Sequence, residues 1–178
     1  MAEAGALFLV TLVLPLVLRR VPSRCQTRPM TRATEAADAL GLTYQETRHG
    51  RVNSLEEAAA ARGIEPAKLI KTIVVRLADD DYRFVLVPGD REIAWPKLRT
   101  LLGVNRISMP SADTALAVTG YVRGTITPLG STHDWPVIAD ERITGTISIG
   151  GGDHGVGITV DAEALLKTLS ATVADVTD

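Results

Sequence analysis

Gly120-Tyr121-Val122-Arg123-Gly124-Thr125-Ile126-Thr127-Pro128-Leu129-Gly130 is the stretch on which the reading of this chain turns. Three glycines and one proline in eleven positions break helix and strand alike, yet apolar and β-branched residues fill the gaps. The mixture predicts a shaped loop leaving a strand, its backbone fixed by Pro128 and bare at Gly124. A bare backbone lets a ligand lie directly against peptide carbonyls and N–H groups. A surface turn is the simpler reading of any Gly/Pro cluster. Against it stands a second glycine-rich segment downstream, Ile149-Gly150-Gly151-Gly152-Asp153-His154-Gly155-Val156-Gly157. Two such bends, close in sequence, can wall one pocket.

Outward from these bends the pattern is mixed. Thr31 to Leu40 reads as a helix capped by Thr31 or Thr34, with Ala36, Ala37 and Leu40 on one face, and Leu42 to Arg48 as a strand. Ser54-Leu55-Glu56-Glu57 is a capping box opening a helix to about Arg62, which Gly63 ends. Leu69 to Leu77 is a β-branched run interrupted by Lys71. Asp79-Asp80-Asp81 is the turn to a returning strand, Tyr82 to Val87. Pro96 suits the first turn of a helix over Trp95 to Leu102. A short strand near Asn105 to Met109 and a helix over Ser111 to Val118 precede the organising loop. Strands follow at Trp135 to Ala139, Thr144 to Ile149 and Val156 to Val160. Asp161 caps a last helix to Leu169, and Thr172 to Val176 closes the chain as a strand. Helices and strands that do not alternate regularly predict an α+β fold, with one mixed, curled, barrel-like sheet and helices packed outside it.

The chain has 178 residues, 46% of them hydrophobic, enough for one aliphatic core. Its single cysteine, Cys25, excludes an internal disulfide framework and a cysteine-rich zinc site. His49, His133 and His154 are far apart, with no i, i+4 pair on a helix, so a metal centre is not expected; no cofactor is expected either. Residues Ala6 to Leu18 are nearly all apolar but fall short of the roughly 20 needed to span a bilayer. Arg19 and Arg20 follow the run instead of preceding it, which is the wrong order for an export signal. Because the globular pattern begins at Met30, residues 1–29 are expected to be an extension from a misplaced start, and 30–178 the functional domain. An anchor or export signal is the rival reading. Taking Arg19, Arg20, Arg24, Arg28 and Glu3 from 19 basic and 21 acidic residues leaves 15 against 20, net −5. Such a domain cannot hold nucleic acid by bulk charge, so DNA is not an expected partner and any RNA contact must be local.

Gly124-Thr125-Ile126-Thr127-Pro128 forms a GxxxP loop. Together with Lys71-Thr72-Ile73-Val74-Val75 upstream and the Gly-Gly segment downstream, it resembles the YbaK/EbsC family, the prolyl-tRNA synthetase-associated editing domains. The likeness runs from about Met30 to the C-terminus. It implies an α+β editing domain that deacylates mischarged tRNA(Pro), Cys- or Ala-tRNA(Pro), in the cytoplasm. It also implies the tRNA acceptor end as partner and prolyl-tRNA synthetase as a second one. By the same resemblance Lys71 positions the 3′-terminal nucleotide and is the catalytic candidate. The loop carrying Gly120, Tyr121, Gly124, Thr125, Ile126 and Pro128 receives the amino acid, and Gly151 and Gly152 close the pocket.

Each of these residues also has a structural reading. Lys71 in an apolar run is costly unless it snorkels or meets an anion, but it would also suit the outward face of an edge strand. His49, ending the first strand, is either a general base or ligand-positioning group or a structural histidine. His154 flanks the Gly-Gly turn, within reach of the same pocket. Gly150-Gly151-Gly152-Asp153-His154-Gly155 matches GxGxxG, yet a strand follows it where a dinucleotide site needs a helix. Relatives often carry basic residues at Asp153-His154 and can carry an acidic one at Gly157, so the edited amino acid stays open. Asp140 suits a turn former or cap. No Ser-His-Asp or Cys-His set is visible, which accords with an activated ester that needs only holding near a water or its own nucleophile. The alternative is a module that binds an aminoacylated tRNA end, or a small aminoacyl or nucleotide ligand, without turnover.

Overall fold

A computed structural model describes residues 29–178, so nearly all of the expected N-terminal extension lies outside the described residues. Among the described residues five α-helices and seven strands follow one another: α1 (Arg32–Ala39), β1 (Tyr44–Arg48), α2 (Leu55–Ala61), β2 (Ile70–Ala78), β3 (Asp81–Pro88), α3 (Trp95–Leu102), α4 (Ala112–Thr119), β4 (Val137–Asp140), β5 (Thr146–Gly150), β6 (Val156–Asp161), α5 (Ala162–Thr168) and β7 (Thr172–Ala174). Among the described residues, no helix is long and apolar enough to cross a membrane.

The α+β class holds, but the single curled sheet does not. The described residues form two sheets, neither closed nor curled into a barrel: an antiparallel one ordered β1-β6-β5, and a mixed one ordered β2-β3-β4-β7. Within the second, β2 and β3 pair antiparallel, whereas β3-β4 and β4-β7 are parallel. A single bridge, Leu69 to Ser148, links the two sheets beside the start of β2. Alternation along β3 explains why both of its faces are buried. Phe84 and Leu86 join Ile147, Ile149, Ile158 and Leu165 in the main core. Val85 and Val87 face the other way, onto Leu98 of α3 and Val176. Each such fully buried side chain contributes about 1.5–3 kcal/mol.

Local signals account for the ends of the elements. Thr31 caps α1 by accepting from the Thr34 N–H, and Thr34 reciprocates to the Thr31 N–H. The buried face of that helix is Ala33, Thr34 and Ala37, while Leu40 is exposed. Ser54 caps α2 through the Glu57 N–H, but the Glu57 carboxylate accepts from the Asn53 N–H, one residue earlier than a capping box requires. The strand expected near Asn105 to Met109 shrinks to one bridge between Arg76 and Ser108. Asp140 is fully buried and ties down the C-terminal segment by accepting from the Val176 N–H, the Thr177 hydroxyl and Arg142.

Candidate functional site

The organising stretch leaves a helix, not a strand: Gly120, at φ +71°, ends α4 in the left-handed conformation. From there it turns inward and is no surface turn. Tyr121, Thr125, Thr127, Pro128 and Leu129 are all buried. The Tyr121 hydroxyl donates to the Leu129 carbonyl at 2.7 Å, and the Thr125 hydroxyl to the Val122 carbonyl at 3.0 Å, so side chains within the loop brace its backbone. Gly124, at φ +92°, stays exposed and undecorated.

The two glycine-bearing bends meet. A Cβ on Gly150 would lie 3.2 Å from the Ile126 carbonyl oxygen and 3.5 Å from that of Thr125. A Cβ on Gly155 would overlap the His49 carbonyl, and the His49 N–H donates to the Gly155 carbonyl at 2.8 Å. These close approaches help to wall a half-open cavity of about 940 Å³. Lys71, His49, Gly124, Ile126 and His154 all line it, together with Gly150 and Gly155. The structure therefore brings together five of the residues singled out from the sequence.

Others lie apart. Gly120, Tyr121 and Gly152 line a separate cleft of about 230 Å³. There the Arg32 guanidinium lies 4.6 Å above the Tyr121 ring and donates to the Gly120 carbonyl. Thr125, Pro128 and Gly151 line neither space. Gly151 instead closes the β5-β6 hairpin through its N–H to Val156 O, and its carbonyl accepts from the Thr31 hydroxyl at 2.6 Å.

The chemistry of the larger cavity is one-sided. Arg51, Arg62 and Lys71 line it, with His49 and His154, and among the described residues no carboxylate does. The Lys71 ammonium donates to the Arg91 carbonyl. His49 holds its Nδ1 2.8 Å from the Gly50 carbonyl, which can only accept, so Nδ1 is the donor of that contact. The Arg62 Nε lies 3.4 Å from the His49 Nε2. Arg62 escaped the sequence reading because it stands at the end of a helix, where an arginine is ordinary. Its one signal was Gly157, a gap in the run Val156-Gly157-Ile158-Thr159-Val160. Glycine inside a strand often marks the close approach of another group, and a Cβ there would lie 2.7 Å from Arg62 Nε.

The pocket thus joins main-chain walls to basic side chains. The chain belongs to the aminoacyl-tRNA editing domain family, whose model matches residues 49–168. Among particular relatives, it is 28% identical over 126 residues to EbsC of Enterococcus faecalis, named as a candidate Cys-tRNA(Pro)/Cys-tRNA(Cys) deacylase. That match covers 70% of this chain and 77% of EbsC. It is also 34% identical over 99 residues to a proline–tRNA ligase of Caldicellulosiruptor bescii, of which it spans only 17% while 56% of this chain is covered. A crystal structure described as a candidate trans-editing enzyme for prolyl tRNA synthetase superposes with a TM-score of 0.77 over 83% of this chain and 95% of that one. Its 22% identity speaks for the fold alone.

Proposed function

We propose that this protein is a trans-editing deacylase that hydrolyses mischarged tRNA(Pro), carrying cysteine or alanine. The observation that carries the proposal is the meeting of Gly150 with the Thr125 and Ile126 carbonyls at a cavity lined by cations and no carboxylate. The deacylase name carried by EbsC supports the same reading. In this scheme carbonyls of the Gly124–Pro128 loop receive the α-ammonium of the amino acid, and Lys71 positions the terminal nucleotide. Backbone N–H groups stabilise the oxyanion while a water, or the thiol of a cysteinyl substrate, attacks the ester carbonyl. The ester C–O bond then breaks, and the 3′ oxygen of the tRNA leaves as a hydroxyl carrying the proton lost by the nucleophile. The amino acid departs free after water attack or as a cyclic thioester after thiol attack. Discrimination rests on side-chain room, where one methylene is worth about 1–3 kcal/mol. The partners are the tRNA acceptor end and prolyl-tRNA synthetase, and the setting is the cytoplasm.

A second reading, binding without turnover, draws on Lys71, whose ammonium already has the Arg91 carbonyl as a partner. The test offers Ala-, Cys- and Ser-tRNA(Pro) to the full-length protein and to Lys71→Ala. Faster loss of one ester with wild type than with Lys71→Ala or buffer is expected. Equal loss in all three defeats the deacylase reading, and saturable binding without product then selects the second.

A further inference from the structure

None of the roles above uses Arg62, and its charge has no carboxylate partner among the described residues. From the end of α2 its guanidinium reaches the β5-β6 wall of the cavity, where its neighbours are two carbonyls, a hydroxyl and an imidazole nitrogen. Ile149 O lies at 3.2 Å, Ser148 Oγ and His49 Nε2 at 3.4 Å, and Val156 O at 3.5 Å. All are longer than the usual 2.9–3.0 Å, so the donor fork is only loosely occupied. Burial pushes the guanidinium pKa down, the direction expected of a cation short of counter-charge. The fold nevertheless makes room for the group, because Gly157 leaves empty the volume that any side chain on β6 would take from it.

We infer that Arg62 is a positioning residue that holds the phosphodiester joining the terminal nucleoside to the rest of the tRNA, at the β5-β6 wall of the same cavity. The inference rests on the deacylase reading for the identity of the substrate and follows from the charges of that substrate. In an aminoacylated 3′ end the ester and ribose are neutral and the α-amino group is a cation. The phosphodiester is the one fixed anion, and a planar five-donor fork matches its oxygens in paired fashion. Lys71 offers a point charge already partnered by Arg91, and Arg51 is exposed to solvent and screened.

The test uses the full-length protein and two probes, adenosine 5′-monophosphate and adenosine, titrated calorimetrically. Wild type should bind the monophosphate about tenfold or more tightly than adenosine, as one charge-assisted contact warrants. Arg62→Leu should bring the two affinities together, and Arg62→Lys should restore part of the preference. Gly157→Ala keeps every charge but pushes the guanidinium aside, so it too should shrink the ratio. If Arg62→Leu does not fold, the Lys and Gly157→Ala variants carry the comparison. No preference in wild type, no binding of the monophosphate, or a preference that survives the substitutions overturns the inference. Deacylation by wild type, followed in parallel, separates the two ideas. An Arg62-dependent preference without turnover removes the deacylase and keeps the anion site, whereas turnover without such a preference does the reverse.

Discussion

Gly150 stands so close to Ile126 that a methyl group on the former would lie 3.2 Å from the carbonyl oxygen of the latter. The contact joins the end of β5 to the GxxxP loop and sets the width of the cavity between them. Gly150→Ala should therefore fold, with the loop displaced by a few tenths of an ångström, and Gly150→Val should displace it further. Because a misplacement of about 1 Å can cost about 100-fold in rate, kcat/KM on Cys-tRNA(Pro) should fall about tenfold for alanine and more for valine. Unchanged kcat/KM in the valine variant would show that this wall does not touch the substrate.

Gly124 presents a different constraint. Its φ of +92° is one that side chains rarely adopt, although the space around it is open, with only His154 Cε1 near at 3.9 Å. Gly124→Ala should cost about 1–2 kcal/mol of stability from backbone strain alone, measurable by urea unfolding. A loop that relaxes to negative φ would also turn the carbonyls that the proposal assigns to the α-ammonium, so deacylation should fall beyond what unfolding explains. A fully active Gly124→Ala variant would remove that assignment.

Lys71 is half-buried and makes one hydrogen bond, to the Arg91 carbonyl. Lys71→Ala should leave the melting temperature within a few degrees of wild type but lower kcat/KM about 10- to 100-fold, the size of a lost charge-assisted contact. Lys71→Arg should retain part of the activity. Loss of fold without loss of specific activity would make the lysine structural.

Asp140 should govern stability and not turnover. Burial alone would push its carboxyl up, but the Arg142 N–H, the Thr177 hydroxyl, the Val176 N–H and the Arg142 guanidinium outweigh that and hold it below the ordinary carboxylate range. A depressed native pKa stabilises the fold above the unfolded value of about 3.9 and loses that contribution as pH falls through the native one. Asp140→Ala should cost about 3 kcal/mol or more at neutral pH, since it leaves Val176 N–H and Thr177 without their acceptor. Asp140→Asn should flatten the acid limb of stability against pH below about 4. An acid limb identical to wild type would place the titrating group elsewhere.

What could be read in advance was local. Thr31 and Ser54 announced helix starts through side chains that reach an N–H three residues on. Asp79-Asp80 announced a turn, with Asp80 at φ 56°, and Pro96 a first helical turn. The sheet arrangement was not legible, because it depends on partners far apart in sequence. Tyr44 pairs with Val160, and Ile138 with Thr172, and no local pattern names those partners. The approach of the two bends was foreseeable from their shared lack of side chains. The separation of Gly120 and Tyr121 from the cavity was not, because Arg32, from the other end of the domain, claims both. Arg62 stayed hidden for the same kind of reason: its meaning lies in Gly157, 95 positions later.

The hollow with cationic walls sits inside a domain that is itself acidic, with 20 acidic against 15 basic residues from Met30 onward. Attraction is thus confined to a recess, while the outer shell repels any polyanion laid along it. Such a molecule favours tips over shafts. Affinity should saturate within the last few nucleotides of an RNA, and lengthening the strand should gain nothing.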